Sequence, residues 1–227
     1  MTDDLKRAAA EKALELVQDG MLVGLGSGST ARHFTIGVGR LVADGMKVRG
    51  VPTSRGTAEL AAQVGIPIVT ELVGQIDLAV DGADEVDPAL NLIKGRGGAL
   101  FREKLVASAA KRFVVVVDES KLVKRLGVGV LPVEVLPFLW RSTAERLTAL
   151  GVSLAVRGGE ERPYITDNGN LILDLSGAGE IDRPDELAIE LKKITGVVEH
   201  GLFIGMTDTV IVAGPDGPRA IGTSRAR

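Results

Sequence analysis

Cysteine is absent from the 227 residues, which excludes disulfides, thiolate metal sites and cysteine nucleophiles. Histidine is nearly so: His33 and His200 are the only two, too far apart in sequence to suggest metal-ligand spacing, and each is expected to be structural. Side-chain amides are scarce, three Asn and three Gln, a bias that thermophile proteins share. No apolar run approaches the ~18 residues a membrane span needs, and no charged-then-apolar leader opens the sequence. A cytoplasmic location with no membrane partner is the expectation. The formal net charge of −3 leaves no basic footprint, which argues against nucleic acid as a partner. What is present, 45% hydrophobic and 25% charged residues, fits an ordinary folded chain of one large domain or one domain with a small companion.

The apolar pattern predicts a helix over 4–19, with Leu5, Ala9, Leu14, Leu16 and Val17 on its apolar face and Gly20 ending it. Short strands follow at 21–25, 47–51, 66–69 and 76–80, with helices over 30–43 and 55–64, the second capped by Thr53 or Ser54. A helix over 98–110 leads into the β-branched run 113–117, typical of a central parallel strand. This alternation predicts an α/β fold with a mainly parallel, Rossmann-like sheet and helices on both faces. Functional groups in such folds collect beyond the carboxyl ends of strands, where the loop 24–30, Asp81 and Asp118 all fall.

Beyond Gly127 the rhythm changes. Strands at 130–135 and 152–156, strands at 164–166 and 171–175 joined by a turn at Asn168-Gly169, and a strand at 197–204 are interleaved with helices over 141–150 and 185–194. The β-α-β-β-α-β order suggests a ferredoxin-like α+β domain. It is expected to occupy 128–205, inserted into an α/β catalytic domain formed by 1–127 and 206–227, whose last strands return to the first sheet. Phe138, Leu139 and Trp140 are expected in the core of the small domain, with a subunit contact as the alternative.

Four motifs carry chemistry. In Gly24-Leu-Gly-Ser-Gly-Ser-Thr30, glycines let the backbone approach an anion, helix-start amides point at it, and Ser27, Ser29 and Thr30 add hydroxyl donors. A tight turn with a hydroxyl cap accounts for the glycines but not for three hydroxyls together. The dinucleotide fingerprint fails, because its third glycine is replaced by Ser29 and no acidic residue ends the next strand; the P-loop lysine is missing as well. Asp81 and Asp84, in Asp81-Gly82-Ala83-Asp84, follow an apolar strand, whereas Glu85 and Asp87 read as a solvated acidic loop. Paired carboxylates also suit Mg²⁺, but Lys94 and Arg96 could neutralise them, and no metal is expected. Lys94-Gly95-Arg96-Gly97-Gly98 is a second anion nest, with Lys94 as a fixed cation for a developing oxyanion. Glu103, alone an ordinary helical glutamate, gains weight from this company as a proton shuttle beside a carbonyl. Lys121 follows a strand and loop on the same side. Residue chemistry thus reaches a carboxylate-and-lysine enzyme acting on a phosphorylated small molecule, without choosing among isomerisation, epimerisation and dehydration.

Gly-Ser-Gly-Ser-Thr, Asp-Gly-Ala-Asp-Glu, Lys-Gly-Arg-Gly-Gly-Ala and Arg-Glu-Lys, in this order and spacing, closely resemble ribose-5-phosphate isomerase of the A type. That resemblance implies a cofactor-free interconversion of ribose 5-phosphate and ribulose 5-phosphate through an enediolate, by a homodimer or homotetramer. It implies Glu103 as the base, Lys94 and Asp84 holding substrate oxygens, and Asp81 binding sugar hydroxyls and assisting ring opening. Ser27, Gly28, Ser29 and Thr30 would hold phosphate, with Lys6 adding charge; Gly82, Ala83, Gly95, Arg96, Gly97 and Lys121 complete the substrate contacts. The family often has Thr where this chain has Ser27, and both offer a hydroxyl. Rival readings are a sugar-phosphate sensor module without catalysis, a metal-dependent sugar phosphatase using Asp81 and Asp84, and an acyl transferase with a carboxylate nucleophile.

Overall fold

The computed structural model describes residues 3–71, 74–177 and 179–222. The chain forms two compact units, one of residues 1–83, 102–121 and 206–227 and the other of 84–101 and 122–205.

The first unit contains α1 (Asp3–Leu14), β1 (Leu22–Leu25), α2 (Ser29–Ala43), β2 (Arg49–Pro52), α3 (Arg55–Gln63), β3 (Leu78–Asp81), most of α4 (Leu100–Ser108) and β6 (Phe113–Asp118). It closes with β12 (Thr209–Gly214) and β13 (Gly217–Ile221). The sheet order is β13-β12-β6-β3-β1-β2; only β13 runs antiparallel to its neighbour. Strand alternation sorts the side chains. Val23, Leu25, Leu78, Val80, Val114, Val116, Ile211 and Ala213 share one core with Ala9, Ala10 and Ala13 of α1 and Phe34 and Val38 of α2. Asp81, one residue on from Val80, therefore lies on the other face, where Val106 of α4 packs closely over Gly24 and Ala79. Helix α1 stops at Leu14, five residues short of the sequence expectation, because its hydrogen bonds tighten to Leu16 N–H on Ala13 and Val17 N–H on Leu14. The stretch 66–69 forms only a bridge, Gly50 to Ile68. Ser54 caps α3, accepting from Thr57 N–H at 3.1 Å, as expected.

At the amino-terminal edge of this sheet, Asp77 accepts Leu22 N–H at 2.9 Å and Lys111 Nζ at 2.8 Å. The Lys111 ammonium, then the Leu22 amide, hold its carboxyl below the usual carboxylate range. A carboxyl depressed in the folded state stabilises it above the unfolded pKa, and that stability is lost as pH falls through the lowered value. Asp77→Asn should therefore cost roughly 1 kcal/mol at pH 7, with the difference closing as the pH falls through the lowered value. Urea titrations across that range check this; a difference that persists in acid would rule the charge out as its source.

The second unit holds β4 (Glu85–Val86), β5 (Leu92–Ile93), β7 (Leu131–Val135), α5 (Trp140–Thr148), β8 (Ser153–Val156), β9 (Leu171–Ser176), α6 (Pro184–Lys193), β10 (Val197–His200) and β11 (Leu202–Phe203). Strands β10-β7-β9-β8 form an antiparallel sheet, so β-α-β-β-α-β chain order is threaded in the split arrangement expected of a ferredoxin-like fold. The strand anticipated at 197–204 breaks at Gly201, and its second part, β11, joins β5 and β4 instead. That pairing draws 84–101 into the second unit, whose remaining stretch runs 122–205 against the expected 128–205. The turn at Asn168-Gly169 forms, but 164–166 makes only the bridge Ile165 to Leu171. Its polar groups turn inward instead: Thr166 Oγ1, Asn168 Nδ2 and Asn170 Nδ2 all donate to the fully buried Glu134. Trp140 packs against the core cluster of this unit. Phe138 and Leu139, expected there too, are 75% and 66% exposed, because the chain swings outward at Leu139 (φ 55°) to start α5. Among the described residues no helix is long and apolar enough to cross a membrane.

Candidate active site

In the first unit the order of parallel strands, β2-β1-β3-β6-β12, reverses direction between β1 and β3. The crevice beyond the carboxyl ends at such a reversal is where ligands bind in open α/β sheets. Two sequence-predicted elements meet there. The loop after β1 lies directly against Asp81, the last residue of β3: a Cβ on Gly26 would sit 2.2 Å from Asp81 Oδ1, so only glycine fits. Gly26 N–H donates to Val80 O at 3.0 Å. Asp81, 3% exposed, accepts on Oδ1 the amides of Ser27 at 3.0 Å and Gly82 at 2.8 Å.

The hydroxyls of the loop divide. Ser27 Oγ lies 2.8 Å from Thr53 Oγ1 and from Ser54 Oγ, and 3.2 Å from Thr57 Oγ1. It is absorbed by the β2–α3 connection and locks the loop rather than facing outward. Ser29 is exposed and Thr30 nearly buried at the start of the 15-residue α2, with Gly28 as the cap. Amides of a first helical turn have no intrahelical acceptors and carry the positive end of the macrodipole, which together favour an anion.

Glu103 lies in the first turn of α4, because the helix begins at Leu100 rather than at the expected 98. It is 6% exposed and lines a small enclosed space with Asp81, Gly26, Thr53 and Phe113. Asp81 and Glu103, both shielded from solvent, thus border the same narrow gap in this unit, which has no room for a water molecule. Lys121 ends a single 3₁₀ turn, Glu119–Lys121, directly after β6, and Asp118, 5% exposed, accepts Ser120 N–H.

Asp84 and the lysine loop lie in the second unit. Lys94 is 3% exposed; its Nζ stands 5.6 Å from the Phe203 ring centre, and its amide donates to Gly201 O. Asp84 accepts Arg96 N–H at 2.9 Å on Oδ2, with Arg96 Nε 3.9 Å from Oδ1. Gly97 has open space around it. Glu85, expected in a solvated loop, is 4% exposed and accepts the amides of Gly127, Val128 and Gly129. Asp87 likewise is engaged, accepting Asn91 N–H and Nδ2. Both carboxylates serve backbone amides that would otherwise lack acceptors. His33 Nε2 lies 3.0 Å from Asp3 Oδ1, and His200 Nδ1 accepts Leu202 N–H.

Residues 49–217 match the family model described as Ribose 5-phosphate isomerase A (phosphoriboisomerase A). The chain belongs to the ribose 5-phosphate isomerase A family. The resemblance carried by the four motifs is borne out along nearly the whole chain. Ribose-5-phosphate isomerase A 1 of Oceanobacillus iheyensis is 52% identical, over 94% of this chain and 96% of that one. The structure of ribose 5-phosphate isomerase A from Methanocaldococcus jannaschii superposes with a TM-score of 0.92 at 42% identity, covering 98% and 100% of the two chains. A further D-ribose-5-phosphate isomerase, solved in complex with phospho-erythronic acid, gives a TM-score of 0.91 at 42% identity, covering 96% and 98%.

Within this isomerase-family chain, sequence reasoning missed the carboxylate of Glu85 as an anchor for 127–129, and Arg157, which is paired with Asp174 and donates to the Gly95 and Arg96 carbonyls of the lysine loop. Glu85 stands in an acidic run, and nothing in such a run marks the one member that turns inward. Arg157 is followed by Gly158-Gly159, which reads as a turn.

Proposed function

We propose that this chain is a ribose-5-phosphate isomerase that interconverts D-ribose 5-phosphate and D-ribulose 5-phosphate without a cofactor, through an enediolate with Glu103 as the base. The observation that carries it is the pair of shielded carboxylates, Asp81 and Glu103, bordering one narrow gap in a member of this family. A carboxylate away from bulk water can take the C2 proton of the open-chain aldose and return it to C1, and its placement sets most of its value as a general base. Lys94, shielded from water, supplies fixed positive charge for the enediolate oxygens; such charge acts more strongly away from solvent. Asp84 holds the substrate hydroxyls, and Asp81 orders the ring oxygen and hydroxyl for opening. The start of α2 at Gly28, Ser29 and Thr30 receives the phosphate, with Lys6 and Lys121 as its counter-charges, while Ser27 holds the loop in shape. That a relative binds phospho-erythronic acid, a phosphorylated sugar acid, supports an anionic, sugar-derived ligand here.

The test is turnover of ribose 5-phosphate in D₂O by chelator-treated protein. Ribulose 5-phosphate should form, and deuterium should accumulate at C1 over repeated turnovers, because a proton held on a carboxylate exchanges with solvent. Complete retention of the original hydrogen through equilibrium would mean a hydride shift and would overturn the enediolate; no turnover would overturn the isomerase itself.

A further inference from the structure

The Lys94–Gly98 loop is gripped by an arginine outside every motif read from the sequence. Arg157 follows β8 directly, and its side chain is only 14% exposed. Its Nε donates to Asp174 Oδ2 at 3.0 Å and its Nη2 to Asp174 Oδ1, a bidentate pair with a β9 carboxylate itself 18% exposed. The remaining nitrogen, Nη1, donates to the carbonyl oxygens of Gly95 at 2.7 Å and Arg96 at 3.0 Å. All three guanidinium nitrogens are therefore committed, in a planar fork that a lysine ammonium does not reproduce.

The Gly95 carbonyl and the Arg96 N–H belong to one planar, trans peptide unit, in which they point in opposite directions. The carbonyl edge is held by Arg157; the N–H edge donates to Asp84 Oδ2 at 2.9 Å. Rotation of that plane breaks both bonds together. The plane needs such holding, because Gly95 sits at φ 111°, where glycine is permissive and the backbone has little preference of its own.

We propose that Arg157, itself oriented by Asp174, is a positioning residue for the isomerisation: it fixes the Gly95–Arg96 peptide and, through that peptide, aims the Asp84 carboxylate and the backbone leading from Lys94. This rests on the reading that Asp84 and Lys94 hold substrate oxygens. A misplacement of about 1 Å in a binding group can lower a rate on the order of 100-fold, which sets the scale of the effect.

Arg157→Ala and Arg157→Lys should each lower kcat/KM for ribose 5-phosphate, by roughly 10- to 100-fold. Phospho-erythronic acid, measured by calorimetry, should bind more weakly to both, and amide exchange of the 94–100 segment should quicken. Added guanidinium ion, at concentrations that leave the fold unchanged, should restore part of the Arg157→Ala loss by refilling the fork. A merely structural arginine would lower the urea midpoint without moving kcat/KM, ligand affinity or loop exchange, and that result overturns the inference. If Arg157→Ala does not fold, Arg157→Lys carries the test alone, since it keeps the charge and most of the volume but not the fork. Asp84→Asn and Lys94→Met run in parallel. If they abolish turnover and the Arg157 variants do not, the clamp alone is wrong; if folded Asp84 and Lys94 variants turn over normally, the substrate reading fails and the clamp falls with it.

Discussion

Glu103→Gln is expected to lower kcat on the order of 10³-fold with little change in KM and an intact fold. Glutamine keeps the size and most of the hydrogen-bonding shape of glutamate but cannot accept the C2 proton. The competing explanation, loss of stability, is too small to produce such a result. Glu103 is the acidic residue in the first turn of α4, and removing a charge from such a shielded position costs up to about 2 kcal/mol. A 10³-fold rate loss corresponds to about 4 kcal/mol of transition-state stabilisation. Kinetics set beside a urea titration separates the two. Turnover that survives in the folded variant would move the base to Asp81 or Asp84.

Gly26→Ala should damage both stability and catalysis. The added methyl would stand 2.2 Å from Asp81 Oδ1, 2.3 Å from its Cγ and 2.6 Å from its Cα. The last of these is backbone, so rotating the aspartate side chain does not relieve the clash. Either the ends of β1 and β3 part, or the carboxylate leaves the amides of Ser27 and Gly82. Overpacking of this kind costs about 1–3 kcal/mol, and a hydrogen bond to a charged acceptor contributes about 1.5–3 kcal/mol, so a loss of roughly 2–4 kcal/mol is expected. Protein that still folds should show kcat/KM reduced more than Ser27→Ala does, because Ser27 Oγ bonds only to Thr53, Ser54 and Thr57 in the described contacts. Chemical unfolding and steady-state kinetics on both variants check the order; a Gly26→Ala protein matching the parent in each would contradict the close approach.

The parallel sheet was legible because each βα pair announces itself locally: an apolar run, a glycine or hydroxyl, then an amphipathic helix. Asp81 was legible for the same reason, at the end of such a run. The destination of 84–101 was not, since β5 finds its partner in Leu202–Phe203, more than a hundred residues later, and no local pattern encodes so distant a pairing. Ser27 was placed in the right loop, but the direction of its hydroxyl depends on Thr53, Ser54 and Thr57, which a reading of the loop alone does not consult. The outward turn at Leu139 went unread because a Phe-Leu-Trp run has the composition of a core; a left-handed leucine is a backbone event that composition does not carry. Of the candidate site, the groups with distinctive chemistry were visible, and the groups that hold them in place were not.

The sheet of the first unit is asymmetric along its strands. At the amino ends, Asp77 ties Leu22 to Lys111, and Asp208 accepts the amide of Phe113 at 2.7 Å. At the carboxyl ends lie Gly26, Asp81 and the start of α2. Mutational drift can therefore work on the two edges separately. Substitutions along the Asp77–Asp208 margin can raise or lower heat tolerance without touching the proposed proton-transfer groups, whereas changes at the opposite margin reach Asp81 and the start of α2 directly. A lineage adapting to a new temperature, or an engineer seeking a hardier catalyst, has one rim of this sheet free of the usual exchange between robustness and rate.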